Sequence, residues 1–302
     1  MRKAFVFAVF VAFAFLSSPV LTQQGQGTMP APWPLSHSIR ERGSSVTGAF
    51  EGWLYNRDGS QSFLVGYFNR NTKQELDIPV GPNNRIEPGG PDLGQPTHFL
   101  AGRQWGVFAI KVPKDFGSKE LTWTLVTNGQ TNTITMHTRP DWIVSPFEDP
   151  ASKNTPPVLR FESSVATFAG PPSGIASNYT ATVGVPLELA VVATDEGPKV
   201  NVPDPASSRR ARGSSGNAPP APPRLAVSWS VFRGPGAVAF GEAKPAIDKE
   251  GRASTSATFS MPGEYILRLQ ANDSTGDGGF QCCWTNVHVA VRVRAAAAST
   301  AR

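Results

Sequence analysis

The sequence predicts an all-β chain of two sandwich domains in tandem, and three observations predict it. Hydrophobic residues make up 39% and charged residues 17%, with 29 glycines and 28 prolines, a balance that suits strands joined by tight turns rather than helices. Apolar and polar residues alternate over many short windows, as half-buried strands require, and no run after residue 22 keeps a convincing helical period. Turn signals separate the windows, among them Asp58-Gly59 and Asn128-Gly129, which suit the left-handed backbone of tight hairpins.

Before the first strand, Arg2 and Lys3, the apolar run 4–16 and the helix-breaking Ser17-Ser18-Pro19 form the three regions of a secretory signal peptide. The run is shorter than the roughly 20 apolar residues of a spanning helix. Cleavage is expected near Thr22, giving a signal peptide over 1–22 and a mature protein that is secreted, periplasmic or held at the cell surface. Residues 23–45, rich in Gly, Pro, Gln and Ser, read as a flexible leader.

The first domain spans 46–144. Strands are expected at 47–55 and 62–69, paired around Asn56-Arg57-Asp58-Gly59, then at 76–80, 105–112, 120–126 and 131–137. Residues 81–96 carry so much Gly, Pro, Asn and Asp that they read as a long surface loop with rigid turns. Residues 145–157 hold several prolines and are expected to be a stiff linker holding the two domains apart.

The second domain spans 158–294, with strands at 159–168, 183–194, 225–232, 237–241, 253–259, 263–271 and 284–293. The segment 196–224 lacks the apolar residues to bury anything and reads as a disordered insertion, as does the tail 295–302. Trp229 runs into Gly234-Pro235-Gly236, and Pro262-Gly263 precedes Tyr265, Leu267 and Leu269, which alternate onto one face. Together with Phe240, Phe259 and Asp273, these residues resemble the PKD-type and related immunoglobulin-like repeats of extracellular proteins. The resemblance covers the last third of the chain and implies a seven-stranded sandwich used as a spacer or adhesive module, with no catalytic residues to carry over. The fold class is therefore all-β, with two immunoglobulin-like sandwiches after a signal peptide. The first domain, through Gly66-Tyr67-Phe68-Asn69-Arg70-Asn71, Asp77-Ile78-Pro79-Val80-Gly81-Pro82 and Gly94-Gln95-Pro96-Thr97-His98-Phe99, resembles segments of other secreted bacterial proteins of unknown role.

The formal net charge of +5 does not make a nucleic-acid surface. Arg2 and Lys3 leave with the signal peptide, and Arg209, Arg210, Arg212 and Arg224 crowd one stretch instead of lining a groove with stacking aromatics. Asp195, Glu196, Asp273 and Asp277 are calcium candidates at one pole of the second sandwich, but they lack a fixed ligand spacing, so solvated loop carboxylates are the better reading. Cys282 and Cys283, the only cysteines, are adjacent. Strand alternation would set Cys283 on the face of Val287, Val289, Val291 and Val293 and Cys282 opposite, and export favours a vicinal disulfide, with an intermolecular bridge through Cys282 as competitor.

Trp53 and Tyr55 are candidates for a sugar-stacking platform, against the plainer reading of core aromatics. Catalysis has little support. His37, His98, His137 and His288 are scattered, no His-Glu-x-x-His or Gly-x-Ser-x-Gly occurs, and Glu75 and Asp77 on one strand face read as solvated charge. The expected function is a non-enzymatic surface or envelope module, with no cofactor, whose partner is an extracellular protein or polysaccharide. A carbohydrate-binding accessory role is one alternative. A hydrolase is another, requiring His98 or His137 to meet carboxylates in a pocket.

Overall fold

A computed structural model of the chain describes residues 40–162, 164–197, 199, 225–273 and 283–296. The expected signal peptide, most of the expected leader and insertion, the end of the expected tail, His37, Asp277 and Cys282 lie outside the described residues. No helix among the described residues is long and apolar enough to cross a membrane.

The first lobe is made of two three-stranded sheets and a short ribbon. Strands β1 (Val46–Tyr55) and β2 (Gln61–Asn69) form the expected hairpin, with Gly59 at a φ of 77° in the turn. Strand β6 (Gly102–Val112) pairs with β2 on its other side. The second sheet joins β4 (Asn84–Glu87), β7 (Leu121–Thr127) and β8 (Gln130–Met136). Asn128 and Gly129, at φ of 50° and 73°, turn β7 into β8, the two left-handed positions that Asn-Gly predicts. Strands β3 (Leu76–Asp77) and β5 (His98–Phe99) make the ribbon. Phe63, Val65, Tyr67, Ile86, Phe99, Phe108 and Trp123 fill the core between the sheets.

Two stretches read as irregular are ordered. The 81–96 segment contains β4, whose Asn84 is fully buried. Its Nδ2 donates to the carbonyls of Ile78 and Pro96 at 2.9 and 2.8 Å, and its Oδ1 accepts from Trp123 Nε1 at 2.9 Å. A buried amide with its partners met is a structural pin, not a loop residue. The last part of the leader is also tied down: Ser44 N donates to Asn71 Oδ1 and Asn71 Nδ2 returns a bond to Ser44 O, at 2.7 and 2.9 Å.

The second lobe is an immunoglobulin-like sandwich by its strand order. One sheet runs β10 (Thr167–Phe168), β9 (Val158–Phe161), β12 (Leu187–Thr194), β15 (Arg252–Phe259) and β14 (Val238–Phe240). The other runs β11 (Ile175–Thr182), β17 (Trp284–Arg294), β16 (Gly263–Asp273) and β13 (Leu225–Arg233), with β11 parallel to β17. Taking β9, β12, β13, β14, β15, β16 and β17 as A to G gives sheets A-B-E-D and C-F-G, the immunoglobulin arrangement. The first lobe does not share this order.

The interior matches as well. Trp229 of β13 is buried against Leu189, Val191, Leu267 and Val289. Tyr265, near the start of β16, donates its hydroxyl to Met261 O at 2.9 Å, the tyrosine corner of this fold. Leu267, two residues on, stands where antibody domains place a cysteine, so dispersion and apolar burial replace the cross-sheet disulfide. Tyr265→Phe should lower the stability of the chain by about 1 kcal/mol, read from its urea denaturation midpoint at unchanged slope.

The proline-rich linker does not hold the lobes apart, and the described residues of both lobes belong to one compact unit. The cause is a bulge in β6. Val65 pairs with Phe108 and Tyr67 with Gln104, so Trp105, Gly106 and Val107 stand against Gly66 alone and leave the ladder. Their three carbonyls point at the second lobe. Asn286 Nδ2 donates to Trp105 O and Gly106 O at 3.2 and 3.0 Å, and His288 Nε2 to Val107 O at 3.0 Å. Arg268, 3% exposed, donates to Asn286 Oδ1 at 2.8 Å and Gln104 Oε1 at 3.0 Å, and makes a longer bond of 3.4 Å to Trp105 O. Around this polar centre, Phe232 and Ile266 of the second lobe pack on the first lobe's core, while Trp284 packs on Leu64 and Val144.

Leaving buried carbonyls without donors costs about 1–3 kcal/mol each. Asn286→Leu, which keeps the branched shape but removes the two donations to Trp105 O and Gly106 O and the acceptor for Arg268, should therefore destabilise the protein by on the order of 3 kcal/mol, measured by denaturant unfolding of the whole chain.

Candidate functional site

Two clefts are the candidates, one along the seam between the lobes and one on the first lobe. The seam cleft is built around His98, which β5 sets opposite Asp77 of β3. Its Nδ1 lies 2.7 Å from Asp77 Oδ1 and its Nε2 3.0 Å from Glu75 Oε2. The second lobe supplies the opposite wall with Arg233 and the Gly234-Pro235-Gly236 turn, enclosing 780 Å³. A neighbouring cleft of 460 Å³, which also borders Glu75 and His98, runs toward Ser228, Ser230 and Gln270. Arg233 forks onto Asp92 with bonds of 2.9 and 2.7 Å and donates to Gln95 O at 2.7 Å, which holds the Asp92 carboxyl below its ordinary value.

This is the convergence of histidine and carboxylates that a hydrolase would need, but its chemistry is that of an ion triad. Ionised carboxylates only accept, so each short contact requires an N–H, and both ring nitrogens are engaged as donors. Burial draws the His98 pKa down, the bonds to Glu75 and Asp77 draw it up, and the net shift is upward. The bond to His98 lowers Glu75 in turn. A raised histidine stabilises the fold fully below its unfolded pKa, and that contribution fades as pH climbs through the folded value. Glu75 contributes above the ordinary carboxylate range and loses its share as pH falls. The melting-temperature gap between the natural protein and His98→Gln should therefore narrow from about pH 6 to about pH 9, and a gap constant over that range would show an uncharged ring.

The second cleft lies where the chain leaves β8 and crosses the outside of β1. Arg139 O accepts from Trp53 Nε1 at 2.8 Å, and Val144 N donates to Trp53 O at 2.9 Å. Trp53 thus clamps both ends of the short 3-10 turn Pro140–Trp142. A side chain at Gly52 would meet Trp142 O at 2.6 Å, so only glycine lets the strap lie this close. Trp142 is left 41% exposed, with Phe50 stacked 5.2 Å behind it and His137 edge-on at 5.6 Å.

Across the cleft, Arg103 lies 3.7 Å over the Trp105 ring and donates to Glu51 Oε1 at 2.7 Å, while Gly106 N donates to Glu51 Oε2 at 2.8 Å. Burial raises the Glu51 pKa against the opposing pull of Arg103 and the Gly106 amide. Any side chain at Gly66 would collide with Glu51 and with Gln104 O. The cleft measures 390 Å³, with Asp141 at its rim.

The sequence-derived candidates fall in different places. Trp53 is 2% exposed and belongs to the core, whereas Tyr55, edge-on to it at 4.9 Å, is 62% exposed. Covered by the strap, Trp53 has no ring face to offer a ligand. Asp273 is buried and accepts from Asn154 Nδ2 of the linker, and Asp195 is half-buried. Among the described residues no three His, Cys, Asp or Glu side chains are grouped to hold a metal. Cys283 is buried, disulfide-bonded and at a φ of 81° just before β17, so it does not continue the strand's alternation. His137 is a packed ring. His288 serves the interface, where burial and then the charge of Arg268 lower its pKa to about 4. Trp105, Trp142, Arg268 and Asn286 were missed. Gly106 inside a strand pattern was the available signal, since an interior glycine marks a bulge or a close approach.

No family model matches the chain, and no curated protein matches it. Among solved structures it is similar to a nucleoside hydrolase-related hypothetical protein from Saccharophagus degradans that is associated with carbohydrate metabolism, at 15% identity over 54% of this chain and 35% of that one, with a TM-score of 0.27. It thus spans about a third of that protein's length. It is also similar to domains 4 and 5 of the S-layer protein SbsC, at 10% identity over 83% and 98% of the two chains, TM-score 0.24. The D00-D0 domain of intimin gives 12% identity over 82% and 98%, TM-score 0.25. The immunoglobulin-like assignment of the second lobe rests on its strand order and tyrosine corner, not on these distant likenesses.

Proposed function

We propose that the chain is an exported, non-catalytic module of the cell surface or envelope that binds or spaces other molecules. The observation that carries this reading is the seam. Three backbone carbonyls of one lobe take their donors from Asn286, His288 and Arg268 of the other, so the two lobes form a stiff body, as a spacer or a platform for loops requires.

Other features agree. The charged, apolar and small-residue pattern over residues 1–22 suits export. Cys283 is disulfide-bonded, Cys282 is the one other cysteine in the chain, and disulfides persist in oxidising compartments. The vicinal pairing belongs to this proposal. While both nitrogens of His98 donate to Asp77 and Glu75, the ring has no lone pair for general-base work, which favours binding over the hydrolase alternative.

Expression of the tagged full chain followed by fractionation and intact-mass measurement tests the reading. A product in the periplasm, the medium or a protease-accessible surface fraction, cleaved near Thr22 and without free thiols, is expected. An uncleaved cytoplasmic product carrying two free thiols would overturn it.

A further inference from the structure

We propose that the cleft between Trp105 and Trp142 binds a neutral hexopyranose unit of a polysaccharide. This deepens the reading of a binding module and rests on it. A pyranose ring presents a face of C–H groups and a girdle of hydroxyls, so its site needs a flat aromatic surface with planar polar groups at the edge. The cleft has both. Trp142 is 41% exposed, and its ring is held in place by Phe50 stacked at 5.2 Å with an interplanar angle of 17°. Trp105 is half-buried and braced by Arg103 at 3.7 Å. Large aromatics fixed in this way lose little entropy when a ligand stacks on them.

The polar girdle is supplied by Arg103 and Asp141, which line the same 390 Å³, a volume within the ~300–1,000 Å³ of small-ligand sites. Glu51, whose side chain is 5% exposed, accepts from Arg103 at 2.7 Å and from Gly106 N at 2.8 Å, so it orients the guanidinium before any ligand arrives.

Charge decides between kinds of ligand. Arg103 is already neutralised by the buried Glu51 beside it, and Asp141 adds a further carboxylate to the lining, so an acidic sugar or a phosphate would meet net repulsion. A purely apolar ligand would strip water from Arg103 and Asp141 without replacing their hydrogen bonds. A neutral sugar meets both demands, since its hydroxyls donate to Asp141 and accept from the guanidinium.

The strap's backbone is anchored by Trp53, not by the contacts that the Trp142 ring makes with Phe50 and His137. Its backbone is pinned at Arg139 O and Val144 N, on either side of the indole. Removing the Trp142 side chain therefore leaves the strap's anchors intact, which makes the key variant a fair test.

Native electrophoresis of the purified chain is run in gels containing neutral polysaccharides (a galactomannan, a xyloglucan, a β-glucan) or the acidic alginate and pectate. Retardation is expected in at least one neutral gel and in neither acidic gel. Trp142→Ala and Asp141→Ala should each weaken it by about tenfold in affinity while the protein keeps a single cooperative melting transition, and Asp141→Ala should do so at unchanged melting temperature. Tyr55→Ala, which removes an exposed aromatic that does not line the cleft, should keep it. Unchanged migration in all neutral gels, retardation by the acidic polymers only, or retardation that survives both Trp142→Ala and Asp141→Ala would overturn the assignment. The cellular location of the protein is read separately, so failure here leaves the exported module standing.

Discussion

Everything else in this structure depends on the backbone of residues 105–107. A β-strand normally hands its carbonyls to its neighbour, but here the ladder skips from Tyr67↔Gln104 to Val65↔Phe108, and three consecutive carbonyls are released at one place. Exposed to water they would cost nothing. Covered, as these are, they require donors. The second lobe brings three side chains to them from two adjacent strands, Arg268 on β16 and Asn286 and His288 on β17, with Arg268 and His288 directly in register. The first lobe therefore cannot cover the carbonyls of its own β6 bulge at no cost without the second. Glycine makes the approach possible: Gly106, at a φ of 51°, lies so close to the Trp284 indole that any side chain would collide with it.

The same interface explains why an arginine and a histidine are tolerated inside it. Burial draws the Arg268 pKa down, with Tyr67 and Glu51 acting in the opposite direction. The guanidinium keeps Asn286, Gln104 and Trp105 as acceptors. His288 sits on the Phe232 ring at 4.1 Å as a neutral imidazole whose single N–H meets Val107 O. Replacing such a network by apolar residues is often harmless to stability, but an apolar patch would not fix where the lobes meet. Directional bonds to three consecutive carbonyls set the register of docking, while Phe232, Ile266 and Trp284 supply the burial.

Much of this fold was legible in the sequence, and the reason is period two. Leu189, Val191, Leu267, Leu269, Val287 and Val289 all alternate into the core, and Asp58-Gly59 and Asn128-Gly129 turn where their left-handed preference places them. Strand β11 escaped notice because Ile175–Thr182 is mostly Ser, Asn, Thr and Ala on an edge. Strand β4 escaped because four residues with one buried aliphatic carry no period. The docked lobes escaped for a different reason. Alternation assigns Arg268, Asn286 and His288 correctly to the outer face of their sheet, but it cannot say that another lobe covers that face. Similarly, Trp53 stands in an expected strand and Trp142 after the last expected strand of its domain, and only the return of the strap across β1 shows that Trp53 is covered and Trp142 left half-exposed.

The seam and the aromatic cleft are one mechanical system. Glu51 accepts from Gly106 N, inside the bulge, and from Arg103, which in turn braces the Trp105 ring. Trp105 also offers its carbonyl to Asn286 and Arg268 of the other lobe. A shift of the lobes must therefore move the carbonyl of the residue whose indole forms one wall of the cleft. The cleft proposed as a sugar site is therefore braced by the packing of the second lobe, although none of the second lobe's side chains lines it.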